Sequence, residues 1–429
     1  MKRWIRKFWR SNRLTARLGL LSNSDFRRLW GSFTITTFGS QVTNLALPLT
    51  AALLLRATPW QMGVLVALEV LPFGLLGLFA GVWIDRGSKL RIVIVSALGR
   101  GCALLIVPIA AFTDVLSMPL LYVAGFAVGA GNAIGGAAAQ VLMAQMVGRD
   151  KLIEANAKIV LGENAAQLTG PGIAGWLIQV FTAPFAILID AVSFFASALL
   201  LRGIKSDLPA PVAGKDTLWR EIGEGLKLVW HNPVLRSLAW TIAIWQLLHH
   251  MQAAILILFA TRELQLSPGM IGAAFVFAGF GCFAAAVFAE RLGDRYGIGP
   301  MIVYGFVGTG AAWVVIALNR ATGWPAALMF GAALFVFDFS ATLFGIHYMS
   351  LRQAITPDYL LGRMTATMRF LALVAAPFGA LFGGALGEWL GLSGTLLVVG
   401  IFGLMLAALA LSQSPVRSVR QLPQPLTMG

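Results

Sequence analysis

Trp83-Ile84-Asp85-Arg86-Gly87 closes one long apolar run of this chain, and Leu292-Gly293-Asp294-Arg295-Tyr296 closes another, the two Asp-Arg pairs standing 209 residues apart. A period of about half the chain is far longer than a solenoid unit, so the repeat describes two homologous halves. Composition sets the solvent. Of the 429 residues, 58% are hydrophobic and only 12% are Asp, Glu, Lys or Arg, against about 25% charged in soluble globular domains.

Twelve apolar runs approach the roughly 20 residues needed to cross a bilayer: 30–55, 60–83, 92–112, 118–147, 155–180 and 183–201, then 234–260, 268–290, 301–318, 324–351, 363–389 and 392–411. Each is expected to be a helix, because a helix satisfies its backbone groups within one segment in lipid, and the ten-residue alternation of a membrane barrel is absent. The expected fold is an all-α membrane protein of twelve transmembrane helices in two pseudo-symmetric six-helix bundles. Its parts are a basic amphipathic N-terminal segment (1–29), an N-terminal bundle (30–201), a cytoplasmic linker (202–233), a C-terminal bundle (234–412) and a cytoplasmic tail (413–429). In the linker, Leu218, Ile222, Leu226 and Val229 recur at helical spacing against Arg220, Glu221, Glu224 and Lys227, the pattern of an amphipathic helix on a membrane surface.

Basic residues orient the chain. With the N-terminus inside, 28 of the 32 Lys and Arg fall on the cytoplasmic side, Arg369 among them in a loop flank; Arg56, Arg262 and Arg320 fall outside and Arg100 within a span. The positive-inside rule then makes both termini cytoplasmic, in a bacterial cytoplasmic (inner) membrane. The net charge of +14 faces anionic headgroups, and no nucleic-acid partner is implied. Near the start, Lys2, Arg3, Arg6, Lys7, Arg10 and Arg13 interleave with Trp4, Ile5, Phe8 and Trp9, either as an interfacial basic helix or as a disordered tail. Cys102 and Cys282 fall inside apolar spans and read as buried small hydrophobes. No Gly-x-x-x-x-Gly-Lys loop is present, and no His, Cys or carboxylate cluster has metal-ligand or nucleophile spacing. No metal, cofactor or enzymatic activity is implied.

Six helices, an amphipathic linker, six more helices and an Asp-Arg loop after the second helix of each half resemble the major facilitator superfamily over essentially the whole chain. Gly81-Val82-Trp83-Ile84-Asp85-Arg86, with Lys89 and Arg91, is similar to its signature loop between helices 2 and 3. The echo departs from it, since Glu290 replaces the leading glycine and Ile298-Gly299-Pro300 lacks the basic pair. A finer resemblance is to the branch of macrolide efflux proteins and the enterobactin exporter. It rests on Asp25-Phe26-Arg27-Arg28-Leu29-Trp30, Ala155-Asn156-Ala157, Arg352-Gln353-Ala354-Ile355-Thr356-Pro357-Asp358 and Gly362-Arg363. Physically, Asp85 at a helix end can accept from free backbone donors at the start of the eleventh span and pair with Arg363. Asp294 and Arg295 would likewise face the start of the fifth span near Arg149 and Lys151. Gly162, Gly170-Pro171-Gly172 and Gly175 resemble the glycine-proline motif of antiporter branches, and simple helix packing explains the same glycines.

Ionisable groups inside spans cost at least a few kcal/mol each, which calls for a reason. Glu69, Arg100, Glu163, Asp190, Asp338, His249, His250 and His347 qualify. The superfamily lines its cavity with helices 1, 4, 7 and 10, so the resemblance implies that Asp338 and at least one of His249 and His250 meet there as a proton-coupling group. Each of them also has a structural reading as a group satisfied by a neighbouring helix. Glu163 is a second candidate proton carrier, and Glu69 a further candidate. Glu69 and Arg100 would form a buried pair, with Arg100 structural, and Asp190 is read as structural. Gly125, Gly129 and Gly131 occupy the stretch of the fourth span where many proton-coupled drug exporters carry an arginine. Gln41, Asn44, Asn132 and Gln140 would give the N-terminal half a neutral polar lining, and Trp245, Phe337 and Phe344 would add apolar contacts.

The expected function is export of a hydrophobic or amphipathic, drug-like small molecule by alternating access, in exchange for protons, by a monomer whose other partner is membrane lipid. The alternatives are a dedicated exporter of one metabolite, such as a siderophore or a lipid, and a non-transporting receptor or scaffold with the same fold.

Overall fold

A computed structural model describes residues 19–205, 218–413 and 415–420, and every regular element among them is helical. Most of the basic N-terminal segment lies outside the described residues, as do 206–217 of the linker and 421–429 of the tail. The spanning helices are α1 (Ser24–Leu49, continued as a π-helical turn Thr50–Leu54), α2 (Pro59–Arg86), α3 (Lys89–Phe112), α4 (Met118–Val147), α5 (Leu152–Phe181) and α6 (Ala183–Arg202). After the linker helix Leu218–His231 come α7 (Pro233–Arg262), α8 (Pro268–Tyr296), α9 (Ile298–Leu318) and α10 (Gly323–Ala354). The last stretch, Leu361–Gln413, bends at Gly391, whose φ of 73° breaks the helical path, giving α11 (361–390) and α12 (392–413).

Nine stretches of the described residues are long and apolar enough to cross a membrane, one of them, Asp358–Ser412, holding both α11 and α12. Helices α1 and α5 have spanning length, 26 and 30 residues, but are not among these nine. Their hydroxyls, amides and carboxylate explain the difference: Thr34, Thr36, Thr37, Gln41 and Asn44 on α1, and Glu163, Asn164 and Gln167 on α5. Helix α1 starts at Ser24, earlier than the apolar run at Trp30, because Asn23 caps it.

The 209-residue repeat extends through the caps. Asn23 accepts from the amides of Asp25 (2.8 Å) and Phe26 (3.2 Å), and Asn232 accepts from Val234 (3.0 Å) and Leu235 (3.1 Å). Thr58 accepts from Gln61 N at 3.3 Å and Ser267 from Met270 N at 3.3 Å. Each cap satisfies amides that have no partner within the helix.

Within the first half α1 packs on α5 and α6, α2 and α3 on α4, and α3 on α6; in the second, α7 packs on the α11–α12 stretch, α8 and α9 on α10, and α9 on the α11–α12 stretch. The halves meet where α2 crosses the α11–α12 stretch and α5 crosses α8. One hydrophobic core spans both halves on the side away from the linker, joining Leu45 to Ala57 of the first half with Ala254 to Leu266 of the second. Towards the linker side the described residues form separate clusters, one holding Leu29, Val93 and Leu142 and another holding Leu235, Ile302 and Met364.

Candidate transport site and gates

The face of α5 that lines the interior follows from its neighbours. Gly162 and Gly170 meet Thr34 and Gln41 of α1, while Gly172 and Gly175 meet Val276 and Gly272 of α8. Trp176 and Val180, 59% and 54% exposed, mark the side left for lipid. Glu163, Asn164 and Gln167 are exposed on the remaining side; Gln167 lies nine residues from Trp176, half a turn out of phase. Glu163 stands eleven residues into α5, about 16 Å along its axis.

Helix α11 repeats this plan. Gly379 and Gly383 pack on the backbone of Leu247 and Met251 of α7, and Val374, Phe378 and Phe382 are exposed on the lipid side. Arg369, also exposed, lies nine residues before Phe378 and therefore on the opposite, interior side. It sits eight residues into α11, about 12 Å along the axis. Counting basic residues groups Arg369 with the cytoplasmic flank, although it lies inside both the expected span 363–389 and the observed helix.

Other candidates are placed differently from the sequence expectations. Arg100 does not pair with Glu69. Its Nη1 donates to Asn132 Oδ1 at 2.6 Å, its Nε donates to the Ser96 carbonyl at 3.2 Å, and its guanidinium lies 4.3 Å from the Phe194 ring centroid. Asn132 is thus bound to Arg100 and not held free as cavity lining. Glu69 packs against Gly125, a Cβ on which would lie 3.1 Å from the Glu69 side chain. Asp190, 1% exposed, accepts from Thr43 Oγ1 at 2.5 Å and Ser193 Oγ at 3.0 Å, tying α6 to α1.

In the second half Trp245, His249 and Phe337 stack, with centroids 5.0 Å apart for Trp245–His249 and 5.7 Å for His249–Phe337, and Phe344 meets Trp245 edge-on at 4.8 Å. Trp245, Phe337 and Phe344 are buried at 8%, 7% and 3% exposure, so they build this half's core and offer a substrate little surface. Asp338 turns away from the stack and meets Cys282 Sγ at 3.7 Å, which also accepts from Thr342 at 3.3 Å. The expected Asp338–histidine pair is therefore not formed among the described residues: His249 is held in the stack, and His250 Nδ1 lies 2.9 Å from the Gln246 carbonyl oxygen. Cys282 is half-buried among polar groups and Cys102 is exposed, so neither is the buried small hydrophobe its setting predicts. Gln41 is half-buried over Gly170, which precedes Pro171 within α5, and Asn44 and Gln140 are exposed.

On the side away from the linker, the halves are joined by two matching clasps. A Cβ on Gly63 would lie 2.6 Å from the Ala380 carbonyl oxygen and 3.0 Å from Gly384 Cα; one on Gly272 would lie 2.6 Å from the Pro171 carbonyl oxygen and 2.7 Å from Gly175 Cα. Every member of one clasp is 209 residues from its counterpart. Beside them Trp60 N donates to Glu388 Oε1 at 3.2 Å, and Gly269 N donates to Gln179 Oε1 at 3.2 Å, again 209 apart. Arg262 Nη2 adds a bond to the Ala57 carbonyl at 2.8 Å.

On the linker side, Arg86 ends α2, while the side chains of Gly81, Asp85 and Arg149 lie outside the described residues. Arg363 opens α11 beside Gly225 of the linker helix. Asp294 borders a cleft of about 690 Å³ with Glu290, His347, Ser350 and Arg420, and Arg295 lies 5.3 Å over the Tyr296 ring.

Two pseudo-symmetric six-helix halves, joined by matching clasps on the side away from the linker and carrying polar groups on the interior face of α5, define a transporter of the major facilitator fold. The chain belongs to the transmembrane secretion effector family of that superfamily, whose model matches residues 15–425. It is 25% identical to the uncharacterized MFS-type transporter YfiS of Bacillus subtilis (strain 168), over 92% of this chain and 94% of the relative. It is 26% identical to the multidrug efflux pump Tap of Mycolicibacterium fortuitum (79% and 84% covered) and 22% identical to the enterobactin exporter EntS of Citrobacter koseri (96% and 96%). Among solved structures it resembles a bacterial homologue of the iron transporter ferroportin in an inward-facing state, with a TM-score of 0.71 and 16% identity over 91% of this chain and 99% of that one. The D-xylose-proton symporter gives 0.69 at 12% identity, over 93% and 99%.

Proposed function

We propose that this transporter exports an amphipathic small molecule from the cytoplasm in exchange for protons, by alternating access about the interface of its two halves. The observation that carries the reading is the core, continuous across both halves on one side and in separate clusters among the described residues of the other, with Glu163, Asn164 and Gln167 facing the interior between them. The basic residues make the linker side cytoplasmic, with both termini in the cytoplasm of a bacterial inner membrane. This arrangement takes substrate from the inside; breaking the two clasps and joining the linker side would release it outside. Similarity to the multidrug efflux pump Tap and the enterobactin exporter EntS supports export, and the likeness to EntS favours the second reading, a dedicated exporter of one metabolite.

Glu163 is the proposed proton group, because it is the carboxylate on the interior stripe, whereas Asp190 and Asp338 are bonded to neighbouring helices and Glu69 is packed against α4. Glu163→Gln is expected to lower accumulation driven by a pH gradient in inverted vesicles about tenfold or more, while binding of a neutral amphipathic dye to the purified protein stays within about threefold. Full gradient-driven uptake by the variant would reject the assignment. Asp85 is the proposed latch that closes the cytoplasmic side onto the start of α11. Asp85→Asn is expected to leave the fold intact and raise cytoplasmic labelling of a cysteine at Gln167 about threefold; equal labelling would remove the latch.

A further inference from the structure

Glu163 and Arg369 stand on the interior faces of α5 and α11, the two helices that carry the clasps. Each is exposed on the interior side of its helix, one in each half, and neither has a hydrogen-bond or ion-pair partner among the described residues. Other charges well inside these helices are placed differently: Arg100 is bonded to Asn132, Asp190 to Thr43 and Asp338 to Cys282, while Glu69 packs against Gly125 of α4. An unpaired charge 12 to 16 Å along a spanning helix is held in a wet cavity, because lipid gives it no solvation. Resting on the export reading above, we infer that the interior is a bipolar site for zwitterionic amphipathic substrates, in which Arg369 takes the anionic group and Glu163 the cationic one.

Charge logic selects the zwitterion. A guanidinium offers donors alone, whereas a carboxyl group can accept a cation or hold a proton, and Glu163 is the group to which the export reading assigns the proton. A purely cationic substrate gains at Glu163 and is repelled by Arg369. A purely anionic one gains at Arg369 and binds best when Glu163 is protonated, so substrate and proton would travel together. A zwitterion needs the Glu163 carboxylate for its ammonium and Arg369 for its carboxylate. Proton and substrate then exclude each other at Glu163, as exchange requires. The guanidinium fork also suits a carboxylate geometrically, which an ammonium does not.

The test uses the full-length purified protein and three probes on one scaffold: norfloxacin, which is zwitterionic near neutral pH, its ethyl ester, which is cationic, and its N-acetyl derivative, which is anionic. Calorimetric binding is expected to favour the zwitterion over either derivative by about tenfold or more. Arg369→Gln should bring the zwitterion down to the affinity of the ester, Arg369→Lys should keep most of the preference, and Glu163→Gln should bring it down to that of the N-acetyl form. Affinities for the three probes within about threefold of one another, no binding of any of them, or equal weakening of all three by Arg369→Gln would each overturn the bipolar site. Selective binding with no gradient-driven uptake in vesicles would uphold this site while rejecting the export reading.

Discussion

Replacing Gly63 or Gly272 by valine is expected to open the side away from the linker. At either position even the first carbon of a side chain would sit within 2.6 Å of a carbonyl oxygen on the facing helix, and the obstacle is backbone, which no rotamer change relieves. In lipid such crossings are held by close backbone approach, because burial of apolar surface against a neighbour gains little over burial in lipid tails. Overpacking a tight contact costs about 1–3 kcal/mol, which here falls on the closed arrangement alone, since the clasp is parted when that side opens. A penalty near the upper end shifts the balance about 100-fold. The measurement is the rate at which a cysteine at Gln167, in a protein with Cys102 and Cys282 replaced by serine, reacts with a membrane-impermeant maleimide from outside. Gly63→Val and Gly272→Val should raise it alike, because the repeat gives them equivalent surroundings, and Glu388→Ala should raise it only a few-fold, because it removes one exposed hydrogen bond. Unchanged labelling in both glycine variants would mean that these crossings do not close the protein.

The two clasps also show how far the sequence could be read. The Asp85 and Asp294 loops, the span count and the amphipathic linker rest on periodicity and charge, which any membrane chain must obey. The glycines of α5 are visible in sequence, but their partners are not: Gly170 serves α1 while Gly175 serves α8, and glycine spacing alone does not tell one neighbour from another. The apolar faces suffer the same ambiguity. Trp245, Phe337 and Phe344 could face lipid, core or cavity with the same residue types, and the stack on His249 resolves them as core. Arg369 is missed for a different reason. The expected span 363–389 already holds it, but counting basic residues groups it with the cytoplasmic flank, and only the packing of α11, with Val374, Phe378 and Phe382 on the lipid side, shows that it faces the interior. Arg100 and Glu69 occupy different helices at different depths, and Asn132 and Phe194, which actually meet Arg100, lie 32 and 94 residues from it in the chain.

Gly299→Val is expected to release the C-terminal strap 415–420 from the second Asp-Arg loop. Helix α9 begins after Gly297 with no side-chain cap, whereas Ser88 caps α3 in the first half by accepting from Arg91 N at 3.5 Å. The strap supplies what α9 lacks: Gly299 N donates to the Val419 carbonyl at 2.8 Å and Ile298 N to that of Arg420 at 3.4 Å. A Cβ at Gly299 would run into the Val416 carbonyl, and Val416 is itself 3% exposed in the core of the second half. Releasing the strap forfeits the burial of one valine, about 1.5 kcal/mol, and two backbone hydrogen bonds of about 1 kcal/mol each. The docked form should then weaken by about 100-fold or more. Release also withdraws Arg420 from the cleft it shares with Glu290 and Asp294. The second loop has no cations in the places of Lys89 and Arg91 of the first, whose counterparts 209 residues on are Ile298 and Pro300. Trypsin cleavage after Arg417 and Arg420 should be about tenfold or more faster in Gly299→Val than in the unaltered protein, and deletion of 414–429 should reproduce its lower melting temperature. Equal cleavage rates would show that the strap is not held by α9, and the second loop would then have to act without a cation from the tail.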